Sequence, residues 1–114
     1  MDIQIKRIYE GASKTDGFRV LVDRIWPRGI SKENAKLDEW MREIAPSTEL
    51  RKWFGHKEAR FNEFSKKYSK ELKQHPDLIA ELKKKGKEKR LTLLYGAKDE
   101  KHNQAVVLKT FLEK

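Results

Sequence analysis

Val20, Leu21 and Val22 form an unbroken apolar run, and Asp23, Arg24, Pro27 and Gly29 cut it off almost at once. A β-branched and aliphatic run with no polar alternation is the pattern of a strand covered on both faces, as in a mostly parallel sheet. Such a strand constrains the whole chain, because the remaining residues must supply both covers. Pro27 lacks an N–H for a ladder, and Gly29 tolerates backbone angles closed to other residues, so regular structure stops there. The loop that follows carries Asp23, Arg24, Trp26 and Arg28 away from the carboxyl end of the strand 18–23, where open α/β sheets place their ligands.

The other elements follow from periodicity. Ile3, Ile5 and Ile8 alternate with polar residues as a first strand, and Gly11 to Gly17 reads as a polar turn that would leave strands one and two as neighbours. Ser31 can cap a short helical turn over Lys32 to Ala35. Leu37, Trp40, Met41 and Ile44 favour a helix, with a strand as the alternative for so short a segment. Ser47 caps the next helix, in which Leu50, Trp53 and Phe54 share a face before Gly55 ends it. Phe61, Phe64, Tyr68 and Leu72 step by three, four and four, giving an amphipathic helix over 57–73. Pro76 opens another helix over 77–85, with Gly86 as its stop. Residues 91–95, Leu-Thr-Leu-Leu-Tyr, form a second buried strand. Gly96 to Asp99 turn out of it, and Asp99 is suited to cap a last helix whose Ala105, Leu108 and Leu112 point inward with Val106 beside them. The expected fold is α/β: a single compact domain over residues 1–114, with a mainly parallel small sheet covered by helices. The strands at 18–23 and 91–95 should run parallel, because the long helical excursion between them serves as a crossover.

At 114 residues the chain can bury one core but cannot hold a catalytic and a regulatory domain together. It contains no Cys, which excludes disulfides, thiolate nucleophiles and Cys-based metal sites and favours a cytoplasmic setting. No long apolar run marks a signal peptide or a membrane span. The formal net charge of +9 points to nucleic acid, an anionic small molecule or an acidic surface as partner. Most of the excess lies between Lys57 and Arg90, where 12 Lys or Arg face 6 Asp or Glu. Lysines on the polar faces of helices are ordinarily a solvated surface, and the run Lys83-Lys84-Lys85-Gly86-Lys87 complements the negative end of a helix dipole.

Four stretches are long and specific: 22–29, Val-Asp-Arg-Ile-Trp-Pro-Arg-Gly; 45–47, Ala-Pro-Ser; 50–56, Leu-Arg-Lys-Trp-Phe-Gly-His; and 94–105, Leu-Tyr-Gly-Ala-Lys-Asp-Glu-Lys-His-Asn-Gln-Ala. Through them the chain closely resembles, over nearly its whole length, the YeaO-like proteins of the domain-of-unknown-function 488 family. The resemblance implies a compact α/β domain with a mainly parallel sheet, and it implies no established activity. A uroporphyrinogen methyltransferase label carried by some relatives finds no glycine-rich S-adenosylmethionine loop here.

The candidate site residues lie on the two loops that leave the apolar strands. Arg24 and Arg28 can fork onto a phosphate or carboxylate while Trp26 stacks on a ring; the plainer reading is an Asp–Arg pair that pins the loop and a Trp that covers the core. His56 and His102 can exchange protons near neutral pH, and either can equally be a cap or a packed ring. His102 and Asp23 are the catalytic candidates, with Arg24, Trp26, Arg28, His56, Lys98, Asp99 and Asn103 as ligand-binding candidates. Arg24, Arg28, Lys98, His102 and Asn103 are expected to converge on one concave site. No metal-binding motif is present, and no cofactor is indicated. The leading expectation is a protein that binds an anionic small molecule, phosphate-bearing or nucleotide-like, at the loops after 18–23 and 91–95, with catalysis an open addition. The alternatives are a nucleic-acid binder using lysine-rich helices and a protein-interaction module without chemistry; the sequence does not fix the oligomeric state.

Overall fold

A computed structural model describes all residues from Met1 to Lys114. Four strands, β1 (Ile3–Arg7), β2 (Phe18–Leu21), β3 (Glu39–Trp40) and β4 (Leu91–Tyr95), form one sheet in the order β1-β4-β2-β3, and every pair is parallel. The α/β class with a parallel sheet is thus realised, and β2 and β4 lie side by side with Val20 opposite Leu93. The expected adjacency of the first two strands is not. β4 enters between them, because two parallel strands joined by a short link cannot pair with each other; parallel pairing needs a crossover, and the long excursion from residue 22 to 90 provides one to β4.

Five helices accompany the sheet: α1 (Lys32–Ala35), α2 (Thr48–Phe54), α3 (Phe61–Leu72), α4 (Pro76–Glu88) and α5 (Gln104–Leu112). Strand parity decides what they cover. Ile3, Val20, Val22, Leu91, Leu93 and Tyr95 face one way and share the main core with Leu50, Phe54, Phe64, Tyr68, Leu72, Leu82 and Leu108. Leu21 and Leu94 face the other way, where Ile8 and Ala35 join them and Trp26, Ile30, Leu37 and Trp40 pack alongside. One face therefore lies under α2 to α5, and the other under α1 and the loops flanking it. Burying each large aliphatic side chain of these layers contributes about 1.5–3 kcal/mol.

Local departures from the expected elements have local causes. Residues 39–40 take the strand alternative and add an edge to β2, while Arg42–Ile44 form a single 3-10 turn. The segment is too short for a helix to outweigh the ladder that β2 offers. Gly86 does not stop α4, which runs on to Glu88; Gly86 is buried, and a Cβ there would come within 2.8 Å of the flexible Met1 side chain, which would have to move aside. The amphipathic helix starts at Phe61 after a 3-10 turn at Glu58–Arg60. Asp99 is not the N-cap of α5. Asn103 is, accepting from the N–H groups of Ala105 and Val106 at 2.9 and 3.2 Å, and in the resulting register Val107 rather than Val106 is buried. No helix is long and apolar enough to cross a membrane.

Candidate functional site

The loops leaving β2 and β4 are tied together by one carboxylate. Asp23 Oδ2 accepts from the Gly96 N–H at 2.8 Å, and Oδ1 accepts from the Gln104 side-chain amide. Gly96 suits this approach, since a Cβ there would stand 3.1 Å from Asp23 Oδ2. Burial pushes the Asp23 carboxyl up to about 6, against the opposing effects of these two donors and the nearby positive charge of Arg51. Arg51 comes no nearer than that long-range influence, as the two side chains form no ion pair.

Above Asp23 lies a cavity of about 410 Å³. Its deep wall is made by the buried Phe54, Phe64 and Asn103 together with Gln104 and Gly96, and its mouth by Tyr9, Ile25, Arg51, Lys52 and His56, all exposed. Tyr9 and Ile25, at 42% and 58% exposure, are two of the three large apolar residues left open to solvent, and both border this cavity. Arg24 lines it as well, with Nε and Nη2 donating to the carbonyls of Pro46 and Ala45 at 3.0 Å each. Arg51 and Lys52, in the last turn of α2, have no acidic partner. Gly55 and His56 then turn the chain through consecutive left-handed conformations, φ 54° and 58°, which present the His56 ring at the rim. A non-glycine residue in that region costs about 1–2 kcal/mol.

The structure divides the residues expected to form the site. Asp23, Arg24, His56 and Asn103 line the cavity; Trp26, Arg28, Lys98, Asp99 and His102 do not. Trp26 packs edge-on against Trp40, ring centres 5.2 Å apart, and donates to the Ile30 carbonyl at 2.7 Å, so it covers the second face of the sheet. Arg28 is exposed and contributes its carbonyl, which accepts from the Tyr9 hydroxyl at 2.8 Å. Lys98 is exposed. His102 Nδ1 lies 2.9 Å from Asp99 Oδ2 and its Nε2 lies 3.5 Å from Glu58, with the ring edge-on to Phe61; it struts the loop against the start of α3. Nor does the helix terminus open onto the cavity as unsatisfied N–H groups. Asp99 Oδ1 takes the N–H groups of Lys101 and His102, and Asn103 takes the first ones of α5, so any anion here would meet side chains. No three His, Asp or Glu side chains gather as metal ligands.

Tyr9, Arg51, Lys52 and Gln104 are cavity residues not singled out in the sequence. Arg51 and Lys52 sit where basic residues ordinarily complement a helix C-terminus, which masks a second role. Tyr9 follows β1, which is not beside β2, and it reaches this mouth because β1 pairs with β4.

Fold and site together define a small all-parallel α/β domain with a polar, cation-rimmed cavity at the carboxyl ends of its central strands. The chain belongs to the family described as the inactive DUF488-N3 subclade, which it matches over residues 2–114. It is 48% identical to the uncharacterised protein YeaO of Escherichia coli K12 over 112 residues, 98% of this chain and 97% of that one. It is 46% identical over 82 residues to the uncharacterised proteins Mb3100c of Mycobacterium bovis and Rv3073c of Mycobacterium tuberculosis, covering 72% of this chain and 69% of each relative. No solved structure gives a significant match.

Proposed function

We propose that the domain binds a small organic anion, phosphate-bearing or nucleotide-like, in the cavity between the loops after β2 and β4, and that it acts by binding rather than by turnover. One observation carries this reading: Arg51 and Lys52 line the mouth of a cavity whose single carboxylate is Asp23, neither has an acidic partner, and Arg24 adds a third positive charge while its Nε and Nη2 hold the Pro46 and Ala45 carbonyls. Unpaired cations around a concavity raise the local concentration of anions, and an Arg fork suits a phosphate or carboxylate. Tyr9, Phe54, Phe64 and Ile25 offer apolar surface for the rest of such a molecule. The word inactive in the family's description favours binding without chemistry, and His102, engaged with Asp99 and Glu58, is not part of the cavity lining. A cytoplasmic setting belongs to the same proposal and is favoured by the absence of Cys.

A thermal-shift screen of phosphate monoesters, nucleotides and carboxylates tests it. A ligand at 100 times its dissociation constant adds roughly 2.7 kcal/mol, which raises the melting temperature of a domain this size by on the order of 10 °C. The shift should be lost in the Arg51→Ala/Lys52→Ala double variant. A screen in which no anion shifts the wild type, or in which the shift survives that variant, would remove the reading. Binding only to nucleic acid, with steep salt dependence and sensitivity to Lys83, Lys84 and Lys85, would put the nucleic-acid alternative in its place.

A further inference from the structure

A carboxylate is out of place in a cavity that selects anions, unless the ligand uses it. Asp23 is not held there by a cation. The Arg24 guanidinium is spent on the Ala45 and Pro46 carbonyls, and Arg51 stays outside ion-pair distance. Its partners are the neutral donors Gly96 N–H and the Gln104 amide, one on each oxygen. An ionised carboxylate offers about four acceptor positions, so about half its capacity is without a protein partner, on a residue that lines the cavity. The opposite pole, at the mouth, is cationic, with Arg51 and Lys52. The cavity therefore carries two poles of opposite sign, an acceptor against its deep wall and donors at its rim.

We propose that the ligand of this site is a zwitterion, an anion that also carries a protonated amino group, and that Asp23 accepts a hydrogen bond from that group while Arg51 and Lys52 face the anionic end. This rests on the anion-binding reading and adds the second pole to it. The amino group supplies the positive partner that the protein withholds from Asp23, and a charge-assisted bond of that kind is stronger than a neutral one. Free amines without the anion would meet the repulsion of the cationic rim, and anions without the amine would leave Asp23 uncompensated. The site thus discriminates twice, once at each end.

Calorimetric titration with ethanolamine phosphate and longer aminoalkyl phosphates, each against the alkyl phosphate of the same length, tests this at about pH 8, where Asp23 is ionised. Wild-type protein should bind the best-fitting aminoalkyl member roughly tenfold more tightly than its alkyl counterpart. Asp23→Asn should lose that preference and hold the alkyl phosphates at least as tightly as wild type, an outcome that a purely structural brace would not produce. A second arm needs no variant. At about pH 5 the Asp23 carboxyl is largely protonated and the preference should fall toward unity. The other ionisable groups lining the cavity, Tyr9, Arg24, Arg51, Lys52 and His56, and the probe's phosphate act on both members of a pair alike and cancel from the ratio. Equal binding of amino and plain phosphates by wild type would overturn the zwitterion and leave the anion reading standing. Failure of wild type to bind either series would overturn both.

Discussion

Two aspartates bracket β2 and live under opposite regimes. At the amino end Asp16 is 1% exposed and accepts from Lys6 at 3.1 and 3.2 Å, from Arg19 at 2.6 Å, from Gln4 at 3.1 Å and from the Ser13 N–H at 2.9 Å. Burial alone would raise its pKa, but the Ser13 N–H and the two cations outweigh it and hold the carboxyl down at about 2. Arg19, 4% exposed, is likewise saturated, with Nη2 on the Ala35 carbonyl and Nε on that of Lys36. At the carboxyl end, Asp23 meets only neutral donors and is held up at about 6. The same side chain is a closed structural joint at one end of the strand and an open, half-satisfied group beside a cavity at the other. What separates them is the supply of cations within bonding distance. The difference teaches that burial alone does not decide a carboxylate's state: the donors within bonding distance decide whether it is closed off or left with unspent acceptors.

The comparison breaks most readily at the closed end. Asp16→Ala strands the buried Arg19 guanidinium and should cost about 3–5 kcal/mol in urea denaturation, the penalty for removing one partner of a buried pair. Gly17→Ala strikes the same corner: φ is 67° and the new Cβ would lie 2.1 Å from the Arg90 carbonyl oxygen. The strained backbone and the clash together should cost about 2–4 kcal/mol. A loss below about 1 kcal/mol for Asp16→Ala would show that the network is less closed than its distances imply.

At the open end the sign reverses. Because the folded Asp23 carboxyl holds its proton up to about 6 while the unfolded one releases it near 3.8, the folded state binds more protons between those values, and stability falls as pH rises through that window. Asp16 acts oppositely: its contribution is present above 3.8 and is lost as pH falls toward about 2. Asp23→Asn keeps an acceptor for the Gly96 N–H, meets Gln104 once that amide turns its oxygen inward, and removes the charge, so it should stabilise the fold by about 1–2 kcal/mol near pH 8, with the gain vanishing near pH 4. Denaturation curves across pH check both slopes. The smallest effect belongs to the rim: Arg51→Ala/Lys52→Ala should change stability by no more than about 0.5 kcal/mol while abolishing the ligand-induced thermal shift.

How far the sequence shows this division depends on the kind of interaction. The apolar runs at 20–22 and 91–95 announce buried parallel strands because periodicity depends only on near neighbours, and the spacing of Phe61, Phe64, Tyr68 and Leu72 likewise reports a face. Asp23 is legible as a loop carboxylate at a strand end. Asp16 is not, since a polar stretch from Gly11 to Gly17 reads as a turn, and only the fold brings Lys6, Arg19 and Thr92 around it, with the Thr92 hydroxyl donating to the Asp16 carbonyl at 2.6 Å. The site was half visible for the same reason. Asp23 and Asn103 sit on the loops that strand order makes adjacent, whereas Tyr9 and Arg51 reach the cavity through β1 and α2, whose placement no local pattern specifies. His102, conspicuous among polar neighbours, turned out to serve the loop beneath it.

The place of β4 in the sheet also sets a timetable for biosynthesis. Its partners β1 and β2 leave the ribosome early, yet neither pairs with the other, and Gln4 must wait for Thr92, 88 residues downstream. Until that segment has emerged, β1 has no partner and β2 has only the short β3 edge, so a nascent chain ending before Leu91 leaves one edge of β2 and both edges of β1 unpaired. Pairing over such separations is slow because the loop must close before any contact stabilises it, and exposed edges invite association with other chains meanwhile. The sheet is therefore expected to close only when its keystone strand arrives, with at most the short β2–β3 pair formed before it, and the cavity at the ends of β2 and β4 forms at that moment and no sooner.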